Sequence, residues 1–126
     1  MKILVIDDHD ELRAEITEYL QRGGHEVAAC GSVATARNAL YAMLANAEPP
    51  QAIVSDVQLP DGNGVDLYVD FASRAPQCQW VLLSGDHDLD LLESGLKGRA
   101  GPAPVILDKP ASLRVLRQLL EKGSLP

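Results

Sequence analysis

The sequence predicts an α/β fold, a doubly wound, five-stranded parallel sheet with helices on both faces. Three observations lead there. Strand-like and helix-like segments alternate about five times along the chain, the pattern of repeated βα units. The strand-like runs are apolar with only weak alternation, as strands buried on both faces should be. Four runs also end in a charged or hydroxyl side chain: Ile6 leads into Asp7-Asp8, Ser55 into Asp56, Leu83 into Ser84, and Leu107-Asp108 into Lys109.

The first strand is Lys2-Ile3-Leu4-Val5-Ile6. Leu12, Ile16, Tyr19 and Leu20 then share one helical face, and Gly23-Gly24 stops that helix. His25 to Cys30 reads as the second strand. Ser32 is placed to cap a helix whose stripe is Val33, Ala36, Leu40, Met43 and Leu44, ended before Pro49-Pro50. Ala52 to Asp56 is the third strand. Turn formers crowd Pro60-Asp61-Gly62-Asn63-Gly64, and a helix through Val65, Tyr68, Val69 and Ala72 follows until Pro76. Gln79 to Leu83 is the fourth strand, and Leu89, Leu92 and Leu96 mark a short helix after it. Gly95, Gly98, Gly101, Pro102 and Pro104 are expected to make its end ragged and the next loop irregular. Ala103 to Leu107 is the fifth strand. Leu113, Leu116 and Leu120 line a last amphipathic helix over 112–122.

Right-handed crossovers leave few topologies for five such units. In the order 2-1-3-4-5, the flavodoxin-like arrangement, strands one and three are neighbours at the switch point. Open α/β sheets bind ligands in the crevice beyond the carboxyl ends of such strands. Asp7, Asp8 and Asp56 would meet there, with Ser84 and Lys109 along the same edge.

Composition narrows the function. A chain of 126 residues fits one domain with a real core. Eighteen acids against eleven basic residues give a net charge of −7, so this segment is not expected to neutralise DNA phosphates by direct contact. Cys30 and Cys78 lack metal-ligand spacing and any secreted disulfide pattern, and are expected to be plain thiols. The first apolar stretch is too short for a signal peptide, and no run approaches membrane-spanning length. A soluble cytoplasmic protein with no membrane contact is the expectation.

The chemistry of the edge follows from charge. Two carboxylates about 4 Å apart repel by roughly 1 kcal/mol in water and about 4 kcal/mol near a protein surface. Three converging acids therefore want a cation, and magnesium is the natural one, since it binds a few carboxylates and completes its shell with water and phosphate oxygens. Asp56 is then the best nucleophile toward phosphorus and Lys109 the best counter-charge for the transferred group. Ser84 has a hydroxyl to donate to a phosphoryl oxygen. Each signal alone has an ordinary reading: an acid pair suits a helix N-terminus, a lysine after a strand faces water, and a serine can simply end a strand. Their joint order, each directly after its own strand, points to a site.

Val5-Ile6-Asp7-Asp8, the run from Ser55 and Asp56 through Val57-Gln58-Leu59-Pro60-Asp61-Gly62-Asn63-Gly64, Leu83-Ser84-Gly85 and Leu107-Asp108-Lys109-Pro110 together resemble the landmarks of the receiver domains of two-component response regulators. The resemblance covers residues 1–122 as one receiver domain and leaves 123–126 as a tail or the start of a linker. It implies that Asp56 accepts a phosphoryl group from a sensor histidine kinase or phosphotransfer protein. Asp8, Asp56 and the backbone carbonyl of Gln58 would hold magnesium directly, and Asp7 largely through a water. Lys109 would bond the phosphoryl group, and the Lys109-Pro110 peptide would be cis. The chain would catalyse only its own phosphorylation and dephosphorylation, with a second copy or a downstream effector as further partners. Gln58 and Asp86 resemble the variable pair that controls access of the hydrolytic water.

There are departures as well. Ile106 stands three residues before the lysine, where many receivers carry a switching Tyr or Phe, and an aliphatic side chain has no hydroxyl to move inward or outward. The spacing from Ser84 to Lys109 is slightly long for the family, so the fourth helix and its exit loop are expected to be atypical. His9 is read as a loop side chain, because magnesium prefers oxygen ligands. His25 is expected at a strand entrance and His87 in an exposed loop. Trp80 and Phe71 are read as packing residues, and Arg114, Arg117 and Lys122 as a solvated face.

The alternative is a pseudo-receiver, an interaction module that keeps the fold and works without phosphate. A phosphohydrolase of the haloacid dehalogenase kind would need an Asp-x-Asp loop after the first strand, which Asp7-Asp8-His9 does not supply. A flavin carrier is disfavoured because Asp7, Asp8, Asp10 and Glu11 would repel the flavin phosphate. The end of the chain fits either a stand-alone receiver or the front of a longer regulator.

Overall fold

The computed structural model describes residues 1–99 and 103–122. The chain runs β1 (Lys2–Ile6), α1 (Asp10–Arg22), β2 (Glu26–Cys30), α2 (Val33–Ala45), β3 (Ala52–Asp56), β4 (Gln58–Leu59), β5 (Gly62–Asn63), α3 (Gly64–Phe71), β6 (Gln79–Ser84), α4 (Leu89–Leu96), β7 (Val105–Asp108) and α5 (Leu113–Lys122). Five strands form one parallel sheet in the order β2-β1-β3-β6-β7. That is the predicted 2-1-3-4-5 once the two-residue strands β4 and β5 are set aside.

Local chemistry places the helices. The Ser32 side chain accepts the Thr35 N–H while Thr35 Oγ1 accepts the Ser32 N–H, both at 3.2 Å, a capping box that opens α2. Asn63 Oδ1 accepts the Asp66 N–H at 2.8 Å to open α3, and Ser112 Oγ accepts the Val115 N–H at 3.3 Å to open α5. Gly24, at φ +90°, turns the chain out of α1 toward β2.

Alternate residues of each strand feed opposite faces of the sheet. Ile3, Val5, Val54, Val81 and Leu83 pack with Ile16 and Leu20 of α1 and with Leu116, Leu119 and Leu120 of α5. Leu4, Ile6, Ile53 and Trp80 pack on the other side with Val33, Ala36 and Leu40 of α2 and Leu67, Tyr68 and Phe71 of α3. Val57, Val65, Leu82 and Leu92 extend that second layer to α4. Trp80 and Phe71 are packing residues as expected: Trp80 meets Tyr68 edge-on at 5.5 Å between centroids, and Phe71 meets Tyr41 at 5.1 Å.

Several boundaries differ from expectation. The turn-rich segment after Asp56 folds into the antiparallel ribbon β4-β5, with Gln58 opposite Asn63 and Leu59 opposite Gly62. The fourth strand takes in Ser84, and the fifth runs from Val105 to Asp108, because Ser84 and Asp108 pair across it. Gly95 does not fray α4. It lies within the helix against Val65, where a Cβ would collide with the Val65 side chain. Gly101, Pro102 and the tail at 123–126 lie outside the described residues. Ile106 is 40 % exposed on β7 and lines a groove of about 670 Å³ with Leu89, Leu92 and Leu96 of α4. Among the described residues no helix is long and apolar enough to cross a membrane.

Candidate functional site

The sheet register delivers the acids. Ile6 pairs with Ser55, so Asp7, the residue just past β1, lies beside Asp56, the last residue of β3. Backbone bonds carry the ladder past the strand ends: the Asp7 N–H donates to Cys30 O at 3.0 Å, Val57 N–H to Leu83 O at 3.0 Å, and Lys109 N–H to Ser84 O at 2.8 Å. The site residues are thus fixed by the sheet itself. Arg13 of α1 adds a brace, donating from Nη1 to the Asp7 carbonyl at 2.8 Å and from Nη2 to Asp10 at 2.7 Å.

Asp7 and Asp56 are buried, at 0 % and 1 % exposed, while Asp8 and His9 are exposed in the loop. One ligand atom from each of Asp7, Asp8, His9 and Asp56 lies within 4.8 Å of the others, the scale of one cation's coordination shell. Lys109 Nζ forms an ion pair with Asp56 Oδ1. Among the described residues, apart from that pair, neither Asp56 oxygen has a hydrogen-bond partner, and Asp7 Oδ2 is buried without one. Buried carboxylate oxygens are costly when unpaired, and a cation placed among them would relieve the cost. The donors are mainly carboxylates, which fits a hard ion such as magnesium.

Burial pushes the Asp56 carboxyl above the usual range of an aspartate. The Lys109 hydrogen bond and charge pull it down, and the charges of Asp7 and Asp8 add to the rise. Burial therefore costs the Asp56 anion more than Lys109 returns, a cost that a further cation beside it would reduce.

The structure thus brings Asp7, Asp8, Asp56 and Lys109 together. Ser84 lies on the same edge at 7 % exposed, but its Oγ donates to the Gly85 carbonyl at 3.3 Å. The Lys109-Pro110 peptide is cis, as the resemblance implied. His9 is a loop side chain, 69 % exposed, yet its Nδ1 stands 3.3 Å from Asp7 and 3.4 Å from Asp8. Gln58 begins β4, and its side chain donates to Asp88 at 2.9 Å. Asp86 is exposed. Sequence reasoning passed over Asp88, which is 2 % exposed; an acid just before the leucines of α4 reads as an ordinary helix cap, and only its burial marks it out.

Known proteins share this fold. The model of the response regulator receiver domain matches residues 3–121. The photosynthetic apparatus regulatory protein RegA of Cereibacter sphaeroides is 31% identical over 98% of this chain and 64% of its own length. The DNA-binding transcriptional regulator NtrC of Azospirillum brasilense is 31% identical over 96% of this chain and 24% of its own length. This chain therefore spans only part of these curated relatives. A response regulator receiver domain protein from Clostridium thermocellum superposes with a TM-score of 0.78 at 26% identity, covering 96% of this chain and 91% of that one. The receiver domain of NtrX from Brucella abortus gives 0.73 at 25% identity, covering 95% of each. Receiver domains are the phosphoacceptor switches of two-component signalling, and a match that runs nearly end to end, on this sheet order, makes the chain a member of that family.

Proposed function

We propose that Asp56 is the phosphoacceptor of a signalling switch, charged by a sensor histidine kinase or a phosphotransfer protein. The observation that supports it best is Asp56 itself: a buried carboxylate at the end of β3, with Lys109 on one oxygen and, among the described residues, no hydrogen-bond donor on the other. An Asp56 oxygen attacks phosphorus, the new P–O bond forms as the P–N bond to the donor histidine breaks, and the imidazole nitrogen keeps the electron pair. Hydrolysis later splits the acyl phosphate into carboxylate and inorganic phosphate. Lys109 offsets the charge that gathers on the transferred group. Ser84 donates to a phosphoryl oxygen once it leaves the Gly85 carbonyl.

Asp8, Asp56 and the Gln58 carbonyl are the proposed direct magnesium ligands, with Asp7 acting through a water. Bound there, the metal supplies positive charge to the phosphoryl oxygens. Residues 1–122 act as the receiver unit. Output passes to a second copy or a downstream effector, since a net charge of −7 suits neither DNA nor an anionic membrane as a direct partner. The test is borohydride reduction after incubation with acetyl phosphate and magnesium, followed by peptide mapping. Reduction confined to Asp56 is expected, and reduction at another acid would refute the assignment.

A further inference from the structure

Asp88 occupies the N-cap position of α4, yet its side chain caps nothing in that helix. It is 2 % exposed. Its Oδ2 accepts the Gly85 N–H at 2.6 Å and its Oδ1 accepts Gln58 Nε2 at 2.9 Å. A carboxylate is costly to bury unless its oxygens find donors. These two donors come from the two loops that carry the site: Gly85 follows Ser84, and Gln58 stands two residues after Asp56.

The tie bears on Ser84 directly. Its Oγ donates to the Gly85 carbonyl at 3.3 Å, so the hydroxyl must leave that oxygen to reach a phosphoryl group on Asp56. Ser84 itself ends β6 and is held by the Lys109 N–H, whereas Gly85, the next residue, is tied to Asp88 through its own N–H at 2.6 Å, so a movement of Gly85 away from Asp88 would stretch that bond. Gln58 in turn holds Asp88 from the opposite loop.

We propose that Asp88 is a positioning residue for phosphoryl binding at Asp56. Through the Gly85 N–H and the Gln58 side chain it holds the Ser84 loop in the arrangement that precedes phosphorylation, and so limits the affinity of the site for the phosphoryl group. The inference rests on the phosphoacceptor reading of Asp56. A contact made only in the resting arrangement opposes the bound one, and removing it shifts the balance toward binding.

The test is titration with beryllofluoride, a phosphoryl stand-in, in the presence of magnesium, followed by fluorine NMR. Asp88→Ala and Gln58→Ala are each expected to tighten binding about three- to tenfold, the range one or two net hydrogen bonds allow. The double variant should bind no tighter than Asp88→Ala, because that change already frees both donors. Asp88→Asn keeps an oxygen for the Gly85 N–H and offers an amide N–H to a flipped Gln58, so it should stay within about twofold of wild type. Equal tightening by Asp88→Asn and Asp88→Ala would assign the effect to lost negative charge and overturn the proposal. Unchanged or weaker binding by Gln58→Ala would also overturn it, and that residue is exposed enough to replace without loss of the fold. If wild type binds no beryllofluoride, or Asp56→Asn binds it equally well, the acceptor reading falls and takes this proposal with it. Binding that needs Asp56 but ignores both Asp88 and Gln58 overturns the proposal alone.

Discussion

Gly64 and Asp56 are so close that a Cβ at position 64 would lie well inside van der Waals contact of the Asp56 carbonyl oxygen, and 2.6 Å from Ser55 Oγ. The Gly64 N–H also donates to Val57 O at 2.9 Å. The start of α3 is therefore folded onto the end of β3, and only a residue without a side chain fits there. Gly64→Ala forces backbone, not a flexible side chain, to move. A loss of about 1–3 kcal/mol is expected, read as a lower urea midpoint. A midpoint equal to wild type would show that the turn yields freely.

Asp61 caps a helix that is distant in sequence. Its carboxylate accepts the N–H groups of Val33 at 2.7 Å and Ala34 at 3.0 Å, at the start of α2. The Ala34 bond, then the Val33 bond, hold its carboxyl below the usual range. A folded pKa below the unfolded one gives stability that is present above the ordinary value of about 3.9 and lost as pH falls through the folded value. Asp61→Ala is expected to lower the urea midpoint near neutrality, with the gap to wild type closing in acid. A gap that does not change with pH would contradict the ionised cap.

Asp56 has the opposite sign. Burial raises its folded pKa above the unfolded one, so the folded chain holds the proton more tightly. Stability then falls as pH rises from about 3.9 through the folded value, and the ionised group weighs against folding above it. Asp56→Asn is expected to raise the melting temperature of the metal-free protein near neutral pH, by less as pH falls. Magnesium should stabilise wild type more than this variant. A variant that melts below wild type near neutrality would show that the Lys109 ion pair outweighs burial.

Burial pushes the Cys78 thiol up to about 12. At about pH 8 only roughly one thiol in ten thousand would be ionised, and the thiolate is the reactive form. Alkylation of Cys78 in the native protein should be very slow and should accelerate with urea in step with unfolding. Fast labelling without denaturant would contradict this.

The fold was legible because strands buried on both faces need apolar runs, and those runs are easy to see in a sequence. Ile3 to Ile6 and Ile53 to Val54 announced β1 and β3, and the residue after each run announced the site. Capping within one element was also legible, as at Ser32. Contacts between elements distant in sequence were not. Gly95 reads as a helix breaker until Val65 is seen against it. Asp61 reads as a turn former until it meets the α2 backbone, and Asp88 reads as a cap until its burial and its two donors are known. Each depends on a partner more than 25 residues away or on burial, which no local pattern encodes.

The most direct test of the central claim is the intact mass of the protein after incubation with acetyl phosphate, with and without magnesium, for wild type and Asp56→Asn. The expected result is the gain of one phosphoryl group by wild type, dependent on magnesium and absent from the variant. A folded wild-type protein that gains none and binds no magnesium would contradict the phosphoacceptor account, leaving an interaction module built on the same sheet.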